Sequence, residues 1–187
     1  MKVLYEIPLY SQNWNLDEWK KLGFSSRDDA EYWERSCCGI LCVNEIASFL
    51  NETKYSTSSL IKQGQELGGY SEEYGWKHEG LVRLVEKLGL HAERKTLSTK
   101  ELQKALEEKK LPIVSIKWAF KNNKLLIEKI LFWKRFGGHL AVVVGYDDEG
   151  FYVNHTSKVA EQNWKAGLVP YDKFNDCYTG RAILVWK

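Results

Sequence analysis

The stretch WERSCCGILCVNEIASFL, residues 33–50, decides the fold because a long apolar helix begins inside it. Apolar residues recur there at the i, i+3, i+4, i+7 spacing of one helix face, namely Val43, Ile46, Ala47 and Leu50. The same stretch holds three of the four cysteines of the chain within six positions. These thiols suit a disulfide framework, a metal site, core packing or a nucleophile, and the choice between them determines the function.

Length and composition indicate a globular chain. The 187 residues and their apolar content predict one domain, residues 1–187, with a core large enough to be stable without disulfide bonds. The 27 basic and 25 acidic residues leave a formal net charge of +2, and no basic stripe is visible. Charge therefore gives no support for a nucleic-acid partner or an anionic membrane surface.

The amino-terminal sequence MKVLYEIPLYSQ alternates apolar and polar residues and lacks the apolar segment of a signal peptide. No later run is long enough to cross a bilayer. We therefore expect a soluble cytoplasmic protein, or a secreted one if a leader was removed. Disulfides are rare in the reducing cytoplasm.

Helical signals dominate the first half of the chain. Apolar stripes predict most of these helices, and a capping box, Ser98 with Glu101 three residues on, opens the last one. The elements expected are a strand over residues 2–10, helical turns around Trp19 and Trp33, and helices over residues 57–67, 81–88 and 99–109.

Beyond Pro112 the sequence changes to short β-rich runs, IVSIKW, LAVVVGYD, FYVNH and AILVW, separated by turn signals such as DDEG. The segment FKNNKLLIEKILFW between the first two is expected to form a hairpin turning at Asn122-Asn123, or a short helix. Helices followed by strands of antiparallel type predict an α+β fold with the helices packed on one side of a sheet.

A metal or disulfide role for the cysteines has little support. Zinc sites pair ligands at a C-x2-4-C spacing with a second pair downstream, and only Cys177 lies at a distance from Cys38 and Cys42. We expect no metal and no cofactor. Free cysteine is among the most buried residue types, so Cys37, Cys42 and Cys177 are expected to pack in the core.

Cys38 differs because the helix begins at or just before it, with Gly39 next in the chain. The unpaired N–H groups and partial positive charge of a helix N-terminus favour thiolate over thiol. A thiolate nucleophile needs a base, commonly a histidine distant in sequence. His139 follows a Gly-Gly pair and opens a β run, which would hold its imidazole rigidly. His78, His91 and His155 compete for the role, and the residues alone favour His139 as the base by a small margin over a purely structural role for it.

The order of these motifs resembles the C39-like peptidases of the papain-like superfamily, from Ile7 to the terminal GRAILVW. It runs through IPLYSQ, SCCGILCVNEIASFL, GWKHEGLVRLVEKLGL, ELQKALEEKKLPIVSIKW and GGHLAVVVGYDDEGFYVNHTS. The resemblance implies a papain-like cysteine-protease fold, with N-terminal helices packed on a C-terminal antiparallel sheet. It implies a cysteine peptidase that cleaves peptide or amide bonds of a peptide or protein substrate through an acyl-enzyme, without a cofactor.

Carried over residue by residue, the resemblance implies Cys38 as the nucleophile, because the family's cysteine directly precedes a glycine. His139 matches the general base, and Gln12 in YSQ matches the oxyanion-hole glutamine. The residue that orients the histidine falls at Asn154, with His155 as the alternative. The family's Val-Asn-Asp-Pro reads Val-Asn-His-Thr here, and an ungapped match puts His155 where the acid belongs.

Trp76 and His78 match a GW-x-H-x-G-L stretch common in such proteins, so they are expected to line the substrate cleft or to form a packed turn. Two other functions fit the same fold. One is an acyltransferase or amide-forming enzyme that passes the acyl group from Cys38 to an amine. The other is a catalytically degenerate module that binds peptides, and the histidine in place of the acid favours it.

Overall fold

The computed structural model describes residues 3–117, 120 and 138–187, and these form an α+β fold, as the sequence predicts. The α-helices of the described residues are α1 (Arg27–Ser36), α2 (Cys38–Asn51), α3 (Thr57–Glu66), α4 (His78–Lys87), α5 (Thr99–Glu107) and α6 (Tyr171–Cys177). The strands are β1 (Val3–Leu4), β2 (Tyr70–Ser71), β3 (Gly75–Trp76), β4 (His91–Thr96), β5 (Leu111–Ile116), β6 (His139–Tyr146), β7 (Gly150–His155), β8 (Trp164–Pro170) and β9 (Tyr178–Trp186). Short 3-10 helices cover Leu16–Glu18 and Ala160–Gln162.

Seven strands form one antiparallel sheet. Six of them are hydrogen-bonded in the order β4-β9-β5-β6-β7-β8, and the seventh, β1, pairs with β6. β2 and β3 form a separate hairpin. β6 pairs with β5 through His139 and Ile116, and with β7 through Val142 and Asn154. Because β6 and β7 are antiparallel neighbours, the start of β6 and the end of β7 meet at one end of the sheet.

The helix α2 lies at the centre of the packing. It contacts β5 and β6 as well as α3 and α4, and residues 39–48 are all buried. A helix that is buried all round is mostly apolar, and its buried polar residues, Asn44, Glu45 and Ser48, form hydrogen bonds within the protein. The helix α5 also packs on β5 and β6, and α6 packs on β7 and β8. No helix of the described residues is both long and apolar enough to cross a membrane.

The helix predicted over residues 57–67 is confirmed as α3, and the capping box is present. The Ser98 hydroxyl accepts a hydrogen bond from the Glu101 N–H, and the Glu101 carboxylate accepts one from the Ser98 N–H at 2.7 Å. The strand predicted over residues 2–10 is too long. Only β1 pairs as a strand, because the chain turns soon afterwards with the Ile7 N–H bonded to the Tyr5 carbonyl at 2.9 Å.

The sequence does not predict β8 or α6. In β8, WKAGLVP, glycine and proline weaken strand propensity, and only Val169 is buried, so no clear alternation exists. The seven-residue α6 is mostly polar, and only Phe174 and Cys177 of it are buried. The hairpin or short helix expected around Asn122-Asn123 lies outside the described residues.

Candidate active site

Cys38 is the first residue of α2, and its thiol lies against the start of β6. Burial has the largest effect on this thiol and raises its pKa above the ordinary value. Backbone hydrogen bonds from Leu140, from Gly39 and from Cys38 itself act in the opposite direction, because they favour the thiolate. The thiol is therefore protonated at rest, with N–H donors beside it that suit a developing negative charge.

Gly39 allows β6 to approach the start of α2. A Cβ added there would lie 3.0 Å from Leu81 Cδ1, 3.1 Å from Leu140 Cδ1 and 3.1 Å from Trp76 Cβ. These distances are tighter than ordinary van der Waals contacts, and the three side chains come from α4, β6 and β3. Since Leu140 directly follows His139, the same approach brings the first residue of β6 to the first residue of α2.

His139 opens β6, and its ring packs against His155 with 4.7 Å between the ring centroids. Its Nε2 atom is buried and has no hydrogen-bond partner among the described residues. Burial lowers the pKa of His139 to about 3, His155 adds to this effect, and a backbone hydrogen bond with Thr156 opposes it. The imidazole is therefore neutral at physiological pH, which is the form that accepts a proton.

The two candidates for the orienting residue point to opposite faces of β7, as adjacent strand residues do. His155 lies beside His139, and its Nδ1 is 2.6 Å from the Gln162 carbonyl oxygen. A carbonyl only accepts, so Nδ1 carries the hydrogen of this ring. Asn154 points towards α2 and the amino-terminal segment, where its amide donates to the Pro8 carbonyl at 3.1 Å. His155 is thus the one of the two that contacts His139.

Asn154 belongs to a buried polar cluster around Glu45, a residue that the sequence reasoning missed. Glu45 is 1% exposed, and its carboxylate accepts from the Tyr10 N–H at 3.0 Å and from Asn154 Nδ2 at 3.3 Å. Burial raises the pKa of Glu45 to about 8 in spite of these two bonds. The available signal was an acid inside the apolar run of α2, where a charged residue is rarely buried unless it is paired.

Gln12 lies beside the residue that precedes Cys38. Its backbone N–H donates to Thr156 Oγ1 at 2.9 Å, and its side-chain Nε2 donates to the Glu34 carbonyl at 2.9 Å. The amide also hydrogen-bonds the thiol of Cys37. Gln12 therefore joins the end of β7 to the turn before α2, and its amide must leave a partner before it can donate to an oxyanion at Cys38.

Trp76 and His78 make contacts within the protein that fit the packed-turn interpretation of their motif. Trp76 is 8% exposed, and its indole N–H donates to the Ser36 carbonyl at 2.8 Å. Its ring fills the space over Gly64, where an added Cβ would come within 2.6 Å of it. His78 Nε2 lies 2.8 Å from Ser115 Oγ on β5. Trp76 thus ties β3 to the end of α1, beside the start of α2, and His78 ties α4 to β5.

The other three cysteines are free and buried, as the sequence predicts for packing residues. Burial raises the pKa values of the Cys37 and Cys42 thiols well above the ordinary value, and raises that of Cys177 as well. Cys38 is the least buried of the four. Within residues 3–117, 120 and 138–187, no three histidine, cysteine or acidic side chains are grouped so as to hold a metal ion.

Comparison with known proteins gives matches among solved structures. No family model matches the chain, and no curated protein matches its sequence. A putative C39-like peptidase from Bacillus anthracis aligns with a TM-score of 0.65 at 17% identity, covering 100% of this chain and 98% of that one. A double glycine motif protease from an AMS/PCAT transporter, in complex with the leader peptide, gives 0.61 at 13% identity, covering 98% and 94%.

The peptidase domain of Streptococcus ComA, a bifunctional ABC transporter involved in quorum sensing, gives a TM-score of 0.58 at 18% identity. That alignment covers 81% of this chain and 91% of the ComA domain. At such identities the likeness concerns the fold alone. The chain has the fold of C39 peptidase domains, as the resemblance of its motifs predicts.

Glu45→Gln should remove a pH dependence from the free energy of unfolding. The carboxyl group holds its proton up to about pH 8 in the folded chain but only to about pH 4.5 when unfolded, so the folded state binds the extra proton in between. The free energy of unfolding of the wild type should therefore fall as the pH rises from 5 to 8, by at most roughly 4 kcal/mol. The variant, which keeps the shape of the protonated acid, should lack this contribution.

Urea unfolding of the two proteins in parallel across this pH range measures the difference, and contributions from other titrating groups cancel. Glu149→Gln, which removes an exposed carboxylate from the turn after β6, is the matched control and should follow the wild type. Equal pH slopes for wild type and Glu45→Gln would contradict the burial of this acid.

Proposed function

We propose that this chain is a cysteine peptidase that hydrolyses peptide or amide bonds, with Cys38 as the nucleophile and His139 as the general base. The observation that carries the proposal is the contact between the Cys38 thiol and the backbone of Leu140, the residue after His139. The fold supports the proposal, because the solved structures that share it include peptidase domains.

The proposed reaction begins from a neutral pair, since burial disfavours both the thiolate and the imidazolium. His139 takes the thiol proton as Cys38 attacks the carbonyl carbon, so the ion pair forms during the reaction. The backbone N–H groups at the start of α2 donate to the oxyanion, and Gln12 joins them when its amide leaves the Glu34 carbonyl. His139 then protonates the departing amine. Water, giving its proton to His139, hydrolyses the thioester and releases Cys38.

His155 takes the third position of the proposed site in preference to Asn154. Its ring packs on His139 and is held by the bond to the Gln162 carbonyl, so it restricts the orientation of the base. A neutral imidazole lacks the negative charge that an aspartate would place beside the imidazolium of His139. We therefore expect slow turnover that increases towards alkaline pH.

The proposed substrate is a peptide or a peptide segment of a protein. One structural neighbour, the AMS/PCAT protease, is in complex with a leader peptide. Nucleic acid is not proposed, since the net charge is only +2. Residues 1–187 are proposed to act as one peptidase domain.

A peptide-binding module without turnover is the second candidate. The observation that favours it is the state of His139, whose buried Nε2 has no hydrogen-bond partner among the described residues and whose neighbour is a histidine. A base with a strongly lowered pKa is a weak acceptor for the thiol proton. Such a site would bind peptides without cleaving them.

Cys38→Ala should reduce hydrolysis to the background rate, because the acyl-enzyme cannot form without the sulfur. A loss of roughly 1000-fold or more is expected for removal of a nucleophile. The assay follows fragments of a mixed peptide library by mass spectrometry. Cys37→Ala, which removes the adjacent buried thiol, is the matched control and should keep turnover within a fewfold. Undiminished hydrolysis by Cys38→Ala would contradict the proposal. A wild type that binds peptides but does not cleave them would favour the second candidate, the peptide-binding module.

His155→Asp should increase hydrolysis at pH 7 by roughly tenfold, because a carboxylate near His139 raises the pKa of the base and stabilises its imidazolium. The pH–rate profile should also move to lower pH. Asn154→Asp is the control, since it adds the same charge on the face of β7 that meets Glu45. A folded His155→Asp protein with the wild-type rate and profile would show that residue 155 does not influence the base.

A further inference from the structure

A continuous set of aromatic rings leads from the turn before α2 to the protein surface. We call this set the aromatic ladder and define it as Trp76, Trp33, Tyr70 and Tyr32. The ring centroids are 5.0 Å apart for Trp76 and Tyr70, 4.9 Å for Trp33 and Tyr70, and 6.3 Å for Tyr32 and Tyr70. Its inner end is fixed by the bond from the Trp76 indole to the Ser36 carbonyl, two residues before Cys38. The ladder therefore begins at the proposed site.

The outer end of the ladder is exposed. Tyr32 is 40% exposed, and its hydroxyl lies 2.7 Å from the Tyr70 hydroxyl. Tyr74, at the tip of the β2–β3 hairpin, is 68% exposed. Large apolar side chains that are this exposed are few in the described part of the chain, and the others are Leu4, Val159 and Leu168. Both rings are associated with the hairpin, because Tyr32 contacts Tyr70 of β2 and Tyr74 lies at its tip, and exposed rings of this kind are consistent with a surface that contacts a ligand.

Two carboxylates accompany these rings. Glu72 and Glu73 are exposed on the hairpin, and neither forms an ion pair with a described residue. The Tyr74 hydroxyl hydrogen-bonds the Glu73 carboxylate. Glu72 lies near Tyr32, where it adds to the effects of burial and of Tyr70 in raising the pKa of that phenol. The negative charge of the hairpin is thus not neutralised by basic side chains.

Aromatic faces beside unneutralised carboxylates suit a cationic side chain. An ammonium or guanidinium group gains from the electron-rich ring face and from the carboxylate, and its alkyl stem packs on the ring. An acidic side chain would meet repulsion at the same place. The whole chain carries a formal charge of +2, so general electrostatic attraction would favour the opposite choice. A preference for cations would therefore come from this surface.

We infer that Tyr32, Tyr74, Glu72 and Glu73 form a subsite for a lysine or arginine side chain of the peptide that reaches Cys38. The inference rests on the proposed function, because it assigns a specificity to the same site. Two ring contacts separate Trp76 from Tyr32, a span of roughly 10 Å that about three residues of extended peptide cover. The basic residue should thus lie about three residues from the bond attacked by the thiol.

Binding to the Cys38→Ala protein tests the subsite without depending on turnover. Fluorescence anisotropy would compare fluorescein-labelled peptides of equal length that carry lysine, alanine or glutamate at the same positions. We expect the lysine peptide to bind roughly tenfold more tightly than the glutamate peptide, with a preference that shrinks as salt is added. Two further variants are made in the Cys38→Ala protein, one with Tyr32→Leu and one with both Glu72→Gln and Glu73→Gln. Each should reduce the preference for the lysine peptide over the glutamate peptide to less than roughly threefold.

Two matched variants serve as controls. Tyr32→Phe keeps the ring and should keep the preference, and Glu149→Gln removes an equivalent exposed charge at the opposite end of β6 and should change nothing. Equal affinity for the three peptides, or a lysine preference that the subsite variants leave intact, would overturn the inference. Failure of the proposed function would be distinguishable from failure of this inference. In that case the wild type would bind the lysine peptide through this subsite but would not cleave it.

Discussion

The close approach of β6 to the first turn of α2 at Gly39 is the contact on which the rest of the site depends. Leu81, Leu140 and Trp76 all lie within 3.1 Å of the place that a Cβ would occupy. A larger residue would press on these three side chains, beside the place where the Leu140 backbone contacts the Cys38 sulfur. Glycine at this position therefore serves packing, and that packing brings the start of β6 against the Cys38 thiol.

Burial gives the site an electrostatic character that its residue types alone do not indicate. Burial raises the pKa of Cys38 and lowers that of His139, so both groups are neutral at rest although the thiol of the one contacts the strand that the other opens. His155 adds no negative charge, and its tautomer is fixed by the Gln162 carbonyl. The proposed catalysis consequently depends on backbone donors around the sulfur more than on a standing ion pair.

Much of this arrangement is predictable from sequence because it depends on local periodicity. The apolar stripe of α2, the Ser98 capping box and the alternation of β7 are local signals, and the last of these already predicts that Asn154 and His155 point to opposite faces. The strand β8 is not predicted from the sequence, because glycine, proline and exposed residues weaken its alternation of apolar and polar residues. An acid inside an apolar run signals that Glu45 is buried, but its partners lie far away in the chain, and no local pattern identifies them.

The coupling of Cys38 and His139 is tested most directly by alkylating the four cysteines with iodoacetamide. Mass spectrometry would give the rate at each cysteine, in the wild type and in His139→Gln, from neutral to alkaline pH. We expect Cys38 to react fastest, with a rate that keeps rising above neutral pH as the thiolate forms. Removal of His139 should slow its alkylation at pH 7 and leave the alkaline rate unchanged. Faster reaction of another thiol, or a pH 7 rate at Cys38 that does not depend on His139, would contradict the coupling.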